Sequence, residues 1–148
     1  MKNIICISLL FFLLSSCAPA PKPIDYGSDG CHFCKMTIVD HQHAAEAVTD
    51  KGKVYKFDAI ECLVNYLDRN PEEAFAYLLV NDYEEPKALI DAETSYYLIS
   101  EAIPSPMGAY LSGFADRAAA ERMQAEKGGS VYDWKALQQE LTRRNGEH

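Results

Sequence analysis

Residues 54–67 read VYKFDAIECLVNYL, and residues 110–123 read YLSGFADRAAAERM. Both stretches run in the order strand, Phe, Asp, helix. In the first, Val54, Tyr55, Lys56 and Phe57 alternate apolar with polar, as a half-buried strand does. Asp58 is placed to cap a helix, with Glu61 three residues on as its capping-box partner. Ile60, Leu63, Val64 and Leu67 then recur at helical spacing until Asn70-Pro71 stops them. In the second stretch, residues 109–114 predict a strand, and Asp116 opens a helix that Gly128-Gly129 closes.

Extending both ways gives each stretch the same neighbours. Residues 44–49 predict a strand and 50–53 a turn before the first; residues 74–80 predict a strand after it. Residues 88–91 and 95–100 read as extended before the second, and 131–134 as a short strand after it. A polar helical tail runs on to Arg144. The order strand–strand–helix–strand thus occurs twice, an internal repeat. The expected fold is α+β: two similar small ββαβ units packed together. The first spans residues 31–86, and the second, with the tail, spans 87–148.

The beginning of the chain has a different character. Lys2 precedes an apolar run from residue 4 to 14, too short to cross a bilayer and shaped like a secretory signal. Leu14-Ser15-Ser16-Cys17 then resembles the lipobox of bacterial lipoproteins. That resemblance implies cleavage after residue 16 and lipidation of Cys17. It places the protein at a membrane on the periplasmic side, and Ala18 after the cysteine favours the outer membrane. Residues 17–30 form the lipidated N-terminus and a tether with Pro19, Pro21 and Pro23, a composition that predicts an extended spacer holding the globular part off the membrane.

Size and charge narrow the function. The 132 residues after the signal suffice for one domain or two very small ones. A net charge of −8 argues against nucleic acid and anionic lipid headgroups as partners. No run of basic residues stands against that. The chain reads as a monomer.

Of the five cysteines, Cys6 leaves with the signal and Cys17 carries lipid, so Cys31, Cys34 and Cys62 remain. An odd number in an oxidising compartment leaves at least one thiol unpaired or bound to something. Cys31-His-Phe-Cys34-Lys-Met36 admits four readings. A thioredoxin-like dithiol, Cys31 with Cys34, wants a helix opening at its first cysteine, whereas β-branched Thr37, Ile38 and Val39 follow here. Structural zinc wants four ligands, and Cys62 and the histidines are all that could complete the set. A structural disulfide, with Met36 as core filler, leaves one thiol over. Monovalent copper prefers thiolate and thioether. On an extended segment, Cys34 and Met36 two positions apart point the same way, with Cys31 across a tight turn.

The blocks Cys31-His-Phe-Cys-Lys-Met36 behind a lipobox, Val54-Tyr-Lys-Phe-Asp-Ala-Ile-Glu-Cys-Leu63, Pro104-Ser-Pro-Met-Gly108 and Gly113-Phe-Ala-Asp116 resemble, in that order, the NosL family of copper-chaperone lipoproteins. The resemblance covers nearly the whole chain after the signal. It implies two ββαβ units and a binding protein, not an enzyme. The implied cargo is Cu(I), delivered to nitrous oxide reductase with the help of its maturation and transport proteins. It implies Cys34 and Met36 as the principal metal ligands, with Cys31, Cys62 and Met107 matching further family positions. A histidine ligand would come from His32, His41 or His43, between which the sequence does not choose. Many relatives have Gly where Lys35 stands, so a looser turn is expected here. Glu61 is expected to cap the helix rather than to tune the site.

Overall fold

Alternation and turn chemistry produce the first hairpin: β1 (Ala45–Thr49) and β2 (Val54–Phe57) pair antiparallel across residues 50–53. The computed structural model describes residues 18–146. The signal segment assigned to residues 1–16 and the lipidation of Cys17 lie outside the described residues. After β2 comes α1 (Ile60–Arg69), ended at Asn70 before Pro71. Its buried side chains include Ile60, Leu63 and Val64, the apolar stripe visible in the sequence. β3 (Phe75–Asn81) returns to pair with β1, and β4 (Leu89–Asp91) pairs with β3.

The second half repeats the plan with β5 (Tyr96–Ile99), β6 (Leu111–Phe114), α2 (Arg117–Lys127) and β7 (Ser130–Asp133). The strand orders are β2-β1-β3-β4 and β6-β5-β7, with all pairs antiparallel. In each unit the first strand is central, the second lies on one side, and the strand after the helix lies on the other. The α+β reading with two ββαβ units is therefore the observed architecture. α3 (Trp134–Gly146) follows β7 directly. Asp133 accepts the Ala136 N–H at 2.8 Å, so Trp134 begins the helix instead of ending the strand.

The units share a core. Phe57, Ile60, Leu63 and Val80 of the first pack in one cluster with Tyr97, Leu111, Trp134 and Leu137 of the second. Each such side chain contributes about 1.5–3 kcal/mol by leaving water. A smaller cluster of Leu98, Ile103, Phe114, Ala119 and Ala120 lies in the second unit. Across the junction, His43 is buried with Nδ1 2.9 Å from Asp40 Oδ1 and Nε2 3.1 Å from Ser112 Oγ. Gly113 permits the approach of the units, since a Cβ there would lie 3.0 Å from the Asn81 carbonyl oxygen.

Three details depart from the expectations. β4, assigned by sequence to the second unit, borders the first sheet, because the Asp82 N–H bonds the Ala88 carbonyl at 2.9 Å and closes a local hairpin from β3. The N-cap of α1 is Ala59, without a side-chain cap, whereas Asp116 caps α2 as expected by accepting the Ala119 N–H at 2.8 Å. The tether does not stand off as a spacer. It lies against the first sheet: the Lys22 N–H donates to Glu46 Oε1 at 2.9 Å, Lys56 Nζ donates to the Pro23 carbonyl at 2.7 Å, and Ile24 is buried.

Glu46 has a consequence for stability. Its side chain is fully buried and Oε2 has no hydrogen-bond partner. Burial raises its pKa, against the Lys22 amide and the Lys56 charge. Below the unfolded carboxyl pKa both states are protonated and nothing is lost. As pH rises, the unfolded chain ionises first, and stability falls until the folded pKa is passed. Glu46→Gln should therefore gain on the parent as pH is raised from about 4 to about 7. Urea denaturation at the two pH values measures this, and a difference independent of pH would refute it.

Candidate metal centre

The stretch that carries the cysteines is a closed turn. Gly30 and Thr37 form an isolated antiparallel bridge. Inside it the Cys31 N–H donates to the Met36 carbonyl at 2.7 Å and the Lys35 N–H to the Cys31 carbonyl at 3.0 Å. The looser turn expected from Lys35 does not form, because Lys35 itself adopts φ +68° and its Nζ donates to the His32 carbonyl. A left-handed lysine is strained by about 1 kcal/mol or more, and the surrounding hydrogen bonds hold it there. Cys34 consequently lies in the turn and not on a strand, so strand alternation is not what relates it to Met36.

The turn is fastened to β2 by the His32 N–H, which donates to the Lys56 carbonyl at 2.8 Å. This sets Cys31 beside the end of β2 and the first turn of α1, where Cys62 lies. The sulfur atoms of Cys31, Cys34 and Cys62 all fall within 4.8 Å of one another. Cys31 and Cys62 are buried and Cys34 is half-buried, and all three are free thiols. Residues 31 and 34 come from one loop and residue 62 from a helix, so the site is pinned at two independent points of the first unit.

The protons in this cluster are unequally held. The Cys31 thiol is pushed well below its ordinary range, first by a hydrogen bond from the Cys62 thiol, against burial, and then by the Asp58 and Cys34 amides. The Cys34 N–H lies 3.4 Å from the Cys31 sulfur. The Cys62 pKa is raised by the same bond to Cys31 and by burial, and burial also raises that of Cys34. The result is one thiolate backed by two neutral thiols. Thiolate–metal bonds of about 2.3 Å, the zinc value, place three sulfurs of a trigonal site about 4 Å apart. Closing on a soft ion therefore needs displacements under about 1 Å, and it releases the remaining protons.

No histidine belongs to this group of metal-ligating side chains among the described residues. His32 lies over Tyr55 with centroids 4.5 Å apart and meets Tyr66 edge-on. His41 meets Tyr26 edge-on, and His43 has both ring nitrogens engaged. With three thiols and no fourth donor of the zinc type, a closed structural zinc site is not formed by these residues. Nor does the Cys-x-x-Cys pair open a helix, the setting that activates thioredoxin-like dithiols.

The methionines stand at the surface. Met36 is 54% exposed, two residues beyond Cys34, and Met107 is 43% exposed. Met107 lies between two anchors: Glu61 Oε1 accepts the Ser105 hydroxyl at 2.6 Å and the Ala109 N–H at 3.3 Å. One carboxylate oxygen thus fastens both ends of the methionine turn to the residue preceding Cys62. This replaces the capping role expected of Glu61, whose other oxygen is buried without a partner. Ser105 and this second role of Glu61 were not foreseen. The available signal was the position of Glu61, three residues before Val64 and beside Ile60, within the stripe that α1 buries.

Residues 23–142 match the family model of NosL. The chain belongs to the NosL family. It is 30% identical to the copper-binding lipoprotein NosL of Stutzerimonas stutzeri, over 90% of this chain and 78% of that protein. Its fold is similar to the crystal structure of the copper chaperone NosL from Shewanella denitrificans, with a TM-score of 0.68 and 23% identity over 78% of this chain and 93% of that one. Both NosL relatives are named for copper, one as a copper-binding lipoprotein and one as a copper chaperone, consistent with the reading of this chain as a binding protein rather than an enzyme. Its three-thiol cluster offers soft sulfur donors of a kind that can bind copper.

Proposed function

We propose that this protein is a lipid-anchored, periplasm-facing carrier of Cu(I) that supplies copper for assembly of the sites of nitrous oxide reductase. Cys17 carries the anchor, and the outer membrane is favoured by Ala18. Cys31, Cys34 and Cys62 form the holding site, with Met36 and Met107 as surface thioethers through which the ion enters and leaves. The observation that carries this reading is the convergence of three thiols from a loop and a helix. Thiolate donors select Cu(I) over harder ions, and one preformed thiolate gives an arriving cation its first partner. Two thirds of the donor set is buried, so the ion is shielded. Exposed methionines allow a recipient's own sulfur to replace ligands stepwise. The partners are the reductase and its maturation and transport proteins, and the carrier acts as a monomer.

The test is anaerobic titration of the reduced protein with Cu(I) against a chromogenic chelator. One ion per chain is expected. Transfer is tested by mixing the loaded protein with copper-free reductase and following copper in each after separation. Copper that stays on the carrier would refute delivery.

The methionine turn offers a separate prediction. Glu61→Ala frees both ends of the turn and should weaken Cu(I) binding about tenfold, the lower range for loss of a supporting contact. Glu61→Gln keeps an oxygen that accepts both hydrogen bonds and should bind like the parent. Equal losses in both variants would show that the charge matters instead of the fastening.

A further inference from the structure

A protein that exchanges an ion with this chain has to touch the surface beside the sulfur site, so the charge of that surface describes the partner. The chain as a whole is acidic, with a net charge of −8. Beside the cysteine turn the balance is reversed. A surface hollow of about 490 Å³ is lined by Lys22, Lys53 and Lys56, by one carboxylate, Asp29, and by Gly30 and His32. Gly30 and His32 are the two chain neighbours of Cys31, so one residue, about 4 Å of chain, separates the hollow from the metal centre. The docked tether supplies Lys22, and the β1–β2 turn and β2 supply the other two lysines. The carboxylates nearby are already engaged. Asp29 Oδ2 accepts from Lys56 Nζ at 2.6 Å and from the Asp25 N–H at 2.7 Å. Glu46 is buried, and Glu73 accepts the Tyr55 and Tyr66 hydroxyls at 3.0 and 2.6 Å. Asp25 and Asp50 are exposed but do not line the hollow. Lys22 and Lys53, by contrast, are exposed. Lys35 extends the basic surface onto the cysteine turn itself: it is exposed, and its charge and that of Lys53 both reach His32.

We propose that this hollow is the docking surface for an acidic segment of the protein that exchanges copper with the carrier, its carboxylates lying against Lys22 and Lys53 beside the cysteine turn. The proposal deepens the Cu(I)-carrier reading and rests on it. The acidic remainder of the chain repels an acidic face, and the hollow attracts it, so productive encounters are concentrated where the sulfurs are. Complementarity of this kind acts on the rate and orientation of encounter more than on final affinity. That suits a carrier, which has to meet its partner quickly and part from it after the ion has moved. Exposed Met36 and half-buried Cys34 lie in the same turn as His32, within reach of sulfur donors carried by the docked segment.

The experiment uses the full chain, loaded anaerobically with Cu(I) in a neutral detergent. The probes are synthetic peptides with the same pair of methionines, flanked by glutamates, by glutamines or by lysines. Transfer of copper to each is followed by stopped flow. At low salt the glutamate peptide should take the ion at least about tenfold faster than the lysine peptide, with the glutamine peptide between them. In about 1 M salt the three rates should converge. Lys22→Glu with Lys53→Glu should reverse the order and leave Cu(I) affinity unchanged. Lys127→Glu with Lys135→Glu makes the same change in net charge at exposed positions outside the hollow and should keep the parent's order. Equal rates for the three peptides, or the same response from both double variants, would overturn the proposal. So would a lack of charge preference combined with slower amine labelling of Lys22 and Lys53 when phosphatidylglycerol is added, which would assign the hollow to lipid. A chain that takes up no Cu(I) overturns the carrier reading instead. Fluorescence anisotropy of the labelled peptides on the copper-free chain then decides the docking surface by itself, with tighter binding of the glutamate peptide expected and equal binding of all three contradicting it.

Discussion

Cys31→Ser abolishes retention of Cu(I) against a competing chelator, with a loss of at least about 100-fold in affinity. Cys31 is the sulfur on which the others converge: it receives the Cys62 thiol and the Asp58 and Cys34 amides, and it alone is held as a thiolate. Serine keeps the shape but offers a hard, protonated oxygen. Supporting contacts around metal sites are already worth about 10–100-fold, so a lost anionic ligand exceeds that. Cys34→Ser removes a half-buried thiol and should cost less, and the difference between the two variants measures the value of the preformed thiolate. The Cys31→Ser variant should remain folded, because the serine hydroxyl fills nearly the same buried space as the thiol it replaces. Circular dichroism of the copper-free variant checks this. Unchanged affinity in a folded Cys31→Ser protein would remove the three-thiol site from the account.

Gly129→Ala should lower stability by about 3 kcal/mol or more, with a fall in melting temperature of about 10 °C or more. Gly129 has φ +97°, and a Cβ there would lie 2.2 Å from the Ile99 carbonyl oxygen and 3.0 Å from the Ile99 carbonyl carbon. These are backbone atoms of β5, the central strand of the second sheet, and they cannot rotate away. Gly128, immediately before it, has φ +72° but nothing within 4 Å of a built Cβ. Gly128→Ala therefore meets strain alone and should cost about 1 kcal/mol. Thermal unfolding of the two variants separates close packing from backbone strain, and equal costs would contradict the packing seen between the α2–β7 connection and β5.

The elements were legible in the sequence wherever local chemistry decides them. The alternation of residues 54–57, the stripe of Ile60, Leu63, Val64 and Leu67, and the Asp116 and Gly128 signals at the two ends of α2 all correspond to observed structure. The repeat was legible for the same reason: each unit writes its own helix and strands. Features set by distant contacts were not. Asp58 satisfies every local rule for an N-cap, yet the chain uses Ala59. Glu61 is drawn off by Ser105 and Ala109, which are more than forty positions away. The sulfur cluster was half legible. The Cys31–Cys34 spacing announces a pair, but joining Cys62 to it depends on how the turn docks on β2. The docked tether was hidden by its composition: prolines predict extension, and extension is compatible with lying along a sheet as well as with standing free.

The central claim is that copper is held by sulfur from Cys31, Cys34 and Cys62. X-ray absorption at the copper edge of the anaerobically loaded protein tests it most directly. The account predicts a Cu(I) edge and a first shell dominated by two to three sulfur neighbours, one fewer in Cys62→Ser. A first shell of nitrogen and oxygen alone, or a sulfur shell unchanged when Cys31 and Cys62 are replaced, would contradict it.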